Sequence, residues 1–140
     1  MRYSFALLSF LFLFTQCQNT STGNTTPTDE TTSSKLDGTE RWTVNTEMVP
    51  HIMEAELRVA YFSGLAVEDY HGLGKELAAH NRNLIKSCTM EGKGHDELHK
   101  WLLPHMEIVD ELAEVTTVIE GTAVVRKLEI SFQDYHQYFK

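Results

Sequence analysis

Apolar residues recur at steps of three and four in four successive runs between Glu47 and Phe139, and this period limits the fold more than any other feature. A turn of 3.6 residues puts such positions on one helix face, whereas strands would need strict alternation. Met48, Ile52, Ala55, Val59 and Phe62 make the first stripe, predicting a helix from about Glu47 to Phe62 that Ser63-Gly64 ends. Tyr70, Leu73, Leu77, Asn81, Leu84 and Cys88 make the second, on a helix from about Asp69 to Ser87 with Asp69 as N-cap. The third, about His95 to Val115, carries Leu98, Leu102, His105, Val109 and Leu112. Asp96 and Glu97 suit the positive end of its dipole, and Pro104 predicts a kink. The fourth has an ambiguous start, because Val115 to Val125 is rich in β-branched residues and passes for a strand. Beyond Ala123 the stripe Val124, Leu128, Phe132, Tyr135 and Phe139 predicts a helix to the end. The expected fold is all-α, an antiparallel up-down four-helix bundle over residues 41–140.

Ahead of the bundle the composition changes twice. Met1-Arg2 supplies a positive start, and Phe5 to Phe14 is an apolar run suited to a secretory signal and too short for a stable span. Cys17 follows at once, and "FTQC" (Phe14 to Cys17) resembles the lipobox of bacterial lipoproteins, with Gln16 where that family usually has a small residue. The resemblance implies a signal peptide over residues 1–16, acylation of Cys17, and a membrane anchor through the N-terminal lipid. The domain would then face the periplasm or the exterior of a bacterial cell envelope. Residues 17–40 are mostly Thr, Ser, Asn and Gly, with Leu36 the one sizeable aliphatic side chain. Such a segment buries too little apolar surface to offset its ordering entropy, so a flexible tether is expected.

Twenty acidic residues against twelve basic ones give a net charge of −8, and no basic patch forms, so nucleic acid is not an expected partner. The chain has two cysteines. With Cys17 acylated, Cys88 has no partner within the chain, and an unpaired thiol in an oxidising compartment is buried, bonded to another molecule or metal-bound.

Cys88 stands in "SCTMEGKGHDELHKW", residues 87–101, with Met90, His95 and His99. The thiolate and thioether are soft ligands that suit Cu(I), with zinc second for the thiolate. His95 and His99 are four apart on the expected third helix, so both rings project from one face and can chelate one ion. Gly92 and Gly94 would let the intervening loop close sharply. A plainer reading stands beside this one: Cys88 is in register with an apolar stripe, Met90 fills a gap, and both histidines are solvated. His51 and His105, each following a proline, and His80, two turns before Cys88, are secondary candidates for metal or for a buried hydrogen bond.

Richer chemistry lacks its residues. A haem attachment motif needs two cysteines and a following histidine. A carboxylate-bridged di-iron bundle needs two Glu-x-x-His pairs, and only Glu68 to His71 fits. The hemerythrin pattern fails at the second helix, and neither a nucleophile-base set nor a phosphate-binding loop is present, so no enzyme is expected. His95, His99 and Trp101, as H-x-x-x-H-x-W running into two apolar helices, resemble a helical domain of bacterial lipoproteins and of periplasmic adaptor proteins of copper efflux pumps. That resemblance implies heavy-metal handling, copper ahead of zinc, and another envelope protein or efflux component as partner. The expected function is metal storage, delivery or sensing, and the alternative is a metal-free structural or interaction module.

Overall fold

The structure, a computed structural model, describes residues 36–140; the expected signal peptide, Cys17 and most of the tether lie outside them. The described residues form four helices and no strand. They are α1 (Val49–Ala60), α2 (Val67–Ser87), α3 (Gly92–Glu114) and α4 (Val118–Tyr138). None of these helices is long and apolar enough to cross a membrane.

Local chemistry accounts for the helix ends, and three of them differ from expectation. Asp69 is not the N-cap of α2 but lies one turn in, where its carboxylate accepts from the amides of Leu65 and Ala66 at 2.8 and 3.0 Å. Those two bonds hold its pKa below the ordinary carboxylate value. α3 begins at Gly92, three residues before the expected start, so Gly92 and Gly94 belong to its first turn and not to a loop. Gly92 has a φ of 67°, a conformation costly for any residue with a Cβ. The β-branched run before α4 is not a strand: Thr117 and Glu120 form a reciprocal capping box that starts the helix at Val118. Pro104 lies within α3 without ending it.

All four stripes turn inward. Ile52, Ala55, Val59, Leu73, Leu77, Leu84, Leu98, Leu102, Val109, Leu112, Val124, Leu128, Phe132 and Tyr135 are buried in one core. Each fully buried large aliphatic side chain stabilises the fold by about 1.5–3 kcal/mol relative to exposure. α1 packs on α2 and α4, α3 packs on α2 and α4, and α2 also touches α4. Two glycines permit the closest approaches: a Cβ at Gly74 would lie 2.9 Å from Leu112 Cβ, and one at Gly121 only 2.5 Å from the Tyr70 ring.

The chain leading into α1 is also part of the fold. Asp37 and Glu40 exchange backbone bonds around Gly38. Trp42 then runs beside the C-terminus, its amide donating to Tyr138 O at 2.7 Å while Lys140 N donates to Trp42 O at 2.8 Å. Val44, Met48 and Phe139 are buried with this pairing, closing the end of the molecule at which α2 hands over to α3.

Candidate metal centre

At that end Ser87 finishes α2 and four residues, Cys88 to Glu91, lead into α3. Asn45 fixes this connection from the side: its amide nitrogen donates to Ser87 O at 2.9 Å, and its oxygen accepts from Thr89 N at 3.2 Å. The Trp42 ring lies against Gly94, where an added Cβ would be 3.1 Å from Trp42 Cε3 and 3.5 Å from Met90 Cε. A bare glycine there lets the Trp42 ring approach the first turn of α3.

Cys88, Met90, His95 and His99 all line one cavity of about 290 Å³. Met48 and Met106 line it too, with Leu84, Ile85, Leu98, Leu102 and Leu103 supplying apolar walls. Cys88, Met90 and His95 are half-buried and His99 is exposed, so the cavity has a wet edge on the histidine side. The Nε2 atoms of His95 and His99 are 3.0 Å apart, at hydrogen-bonding distance, with the rings edge to face. An ion about 2.0–2.1 Å from each nitrogen would see the pair at an angle of about 90–100°, within the range of ordinary coordination. Thiol, thioether and imidazole are donors suited to Cu(I) and, less well, to zinc. The Cys88 thiol and the two imidazoles do not all lie within 4.8 Å of one another, so the cavity collects these donors without closing them around one point.

Sequence reasoning missed Met48, Met106 and Asn45. Met106 had a signal, since it falls seven residues after His99 on the same face of α3. Met48 and Asn45 had none, because about forty residues separate them from this segment in sequence and only the packing of the fold brings them to it.

The secondary candidates lie elsewhere. Eight residues of α-helix turn through two full turns and about a further 80°, so His80 and Cys88 face different directions. His80 instead faces α1, where a donor atom from each of His51, Glu54 and His80 lies within 4.8 Å of the other two. His105 is 1 % exposed in the core; its Nδ1 shares a 3.0 Å hydrogen bond with Ser131 Oγ, and its ring stacks on Trp101. Burial pushes its pKa down from 6.5 to about 4, so the ring is neutral at physiological pH. His71 bonds through Nε2 to Val115 O at the end of α3, and His136 pairs with Glu56.

A larger cavity of about 640 Å³ lies between α3 and α4 and is lined by Glu107, Asp110, Glu111, Glu114, Glu120 and Lys127. Lys127 and Glu111 pair across it at 2.6 Å. No protein-family model, curated protein or solved structure matches the chain.

Proposed function

We propose that the protein is a membrane-anchored lipoprotein of the bacterial envelope whose helical domain binds a soft transition metal, Cu(I) first and zinc second. On this reading Cys88, Met90, His95 and His99 hold the ion, and the role is storage, delivery or sensing with no catalytic step. An efflux component or another envelope protein would exchange the metal. The domain is an antiparallel up-down bundle, a reading supported by the short connections and by each helix packing on its neighbours in the chain.

One observation carries the metal reading: the two sulfurs and two imidazoles border a single cavity, from which side-chain rotation would bring the thiol and the imidazoles, not all within 4.8 Å of one another, onto one ion. Two further thioethers on its wall, Met48 and Met106, make the surroundings softer still, which favours Cu(I) over zinc. Anaerobic titration of the purified protein with Cu(I) tests it. Near-stoichiometric binding, lost in Cys88→Ala and in His99→Ala, is the expected result, and binding unchanged in both variants rejects this site. The anchor is tested separately by Cys17→Ser, which should remove acylation and release the protein from the membrane fraction.

A metal-free interaction module is the second reading. It is favoured by Tyr61 and Leu65 on the α1–α2 connection and Ile119 in the first turn of α4, which are 83 %, 86 % and 84 % exposed at the opposite end of the helices. Absence of Cu(I) and zinc binding would select this reading.

A further inference from the structure

His51 and Glu54 are three apart on α1, so they project from one side of that helix toward His80 on α2. The Nδ1 of His80 is buried from solvent and has no hydrogen-bond partner among the described residues. A buried polar atom left unpaired costs about 1–3 kcal/mol, so it calls for a ligand. Glu54 Oε2 is 3.6 Å from it, too far for a hydrogen bond. That distance is close to the separation of about 3.3–3.5 Å that two donors adopt around one tetrahedral ion.

We infer that His51, Glu54 and His80 form a second metal site, distinct from the cavity at Cys88, which takes a borderline divalent cation such as Zn²⁺ between α1 and α2. Two imidazoles and a carboxylate are a nitrogen–oxygen set, suited to Zn²⁺ and unsuited to the soft Cu(I) of the first site. His80 is the half-buried anchor of the site, its side chain 22 % exposed while its Nδ1 is closed off from solvent. Glu54, with a side chain 62 % exposed, is placed to swing in and bring its charge to the ion. Three protein donors leave the fourth tetrahedral position to water. Because the donors come from two helices, the ion joins α1 to α2, and its binding free energy adds to that of folding.

The site is tested in the full-length protein carrying Cys88→Ala and His99→Ala, so that failure of the copper reading leaves the result intact. Co²⁺ is the probe. One equivalent should produce the visible absorption of tetrahedral Co²⁺ without a thiolate charge-transfer band, Zn²⁺ should bleach it, and saturating Zn²⁺ should raise the melting temperature. His80→Ala should abolish all three effects, and Glu54→Gln, at an exposed position that leaves folding undisturbed, should weaken Co²⁺ binding at least ten-fold. No tetrahedral spectrum in the parent, or a spectrum that Glu54→Gln leaves at full affinity, overturns the proposal.

Discussion

The Nε2 atoms of His95 and His99 approach to 3.0 Å across one turn of α3, at the edge of a cavity whose other donors are sulfur. If the two nitrogens act as one chelate, their losses cannot be independent. The first substitution already destroys the chelate, so the second removes less. A double-mutant cycle of His95→Ala and His99→Ala on Cu(I) affinity should therefore show a coupling of about 1–3 kcal/mol. Additive losses would mean that the histidines do not share an ion.

Asn45 reaches the same place from the lead-in to α1, bonding Ser87 O and Thr89 N on either side of Cys88. None of its hydrogen bonds goes to a proposed donor, so it acts by positioning the segment that carries Cys88. Asn45→Ala should cost about 1–2 kcal/mol of stability in urea unfolding, for three lost bonds, one part-buried to Ser87 O and two exposed to Glu47 and Thr89 N. It should also weaken Cu(I) binding while the stoichiometry stays the same. Asn45→Asp keeps the acceptor for Thr89 N and should recover part of that affinity. Equal affinity in Asn45→Ala and the unaltered protein would show that the connection holds its shape without this residue.

How much of this was legible beforehand depended on the range of the interaction. The apolar stripes fixed four inward faces, and every core position they named on α2, α3 and α4 is buried except Cys88, which is half-buried at the end of its stripe. Helix starts were less legible because side chains close in sequence compete for the same backbone groups. Asp69 looked like a cap but accepts from the two amides before the helix, and Thr117 with Glu120 held a capping signal that the β-branched run obscured. That Cys88, Met90, His95 and His99 border one cavity follows from their spanning barely more than one loop and one turn, whereas the separation of the thiol from the imidazoles depends on side-chain placement that spacing does not fix. Met48 at the same cavity, and His51 beside His80, come together only through the packing of separate helices.

Two glycines in helices should respond in opposite directions to the same substitution. Nothing lies within 4 Å of a Cβ built on Gly72, whereas one on Gly121 would sit 2.5 Å from the Tyr70 ring. Gly72→Ala should therefore stabilise the protein by about 0.5–1 kcal/mol through helix propensity alone. Gly121→Ala gains the same propensity but forces apart a ring held by its hydroxyl contacts to Gly64 O and Thr122 Oγ1. Overpacking costs about 1–3 kcal/mol, so the net change there should be destabilising. Urea unfolding of both variants checks the pair, and a Gly121→Ala protein more stable than its parent would contradict the tight approach of α4 to α2.

His105 makes the fold sensitive to acid by a route separate from any metal. Its ring lies among Trp101, Phe132 and Ser131, and burial lowers its pKa from 6.5 to about 4. Above pH 6.5 both folded and unfolded chains hold it neutral, and the fold keeps its full stability. Between 6.5 and about 4 the unfolded chain takes up a proton that the folded one refuses, so stability falls as the pH falls. The slope approaches about 1.4 kcal/mol per pH unit, giving a loss of about 2 kcal/mol between about pH 7 and about pH 5. The chain has six other histidines, so the measurement is a difference: unfolding free energies at the two pH values, for the parent and for His105→Gln. Glutamine can keep the bond to Ser131 but takes up no proton, so the variant should lose about 2 kcal/mol less than the parent over that interval. Parallel pH profiles for the two proteins would mean that the buried ring accepts its proton in the folded state as readily as in the unfolded one.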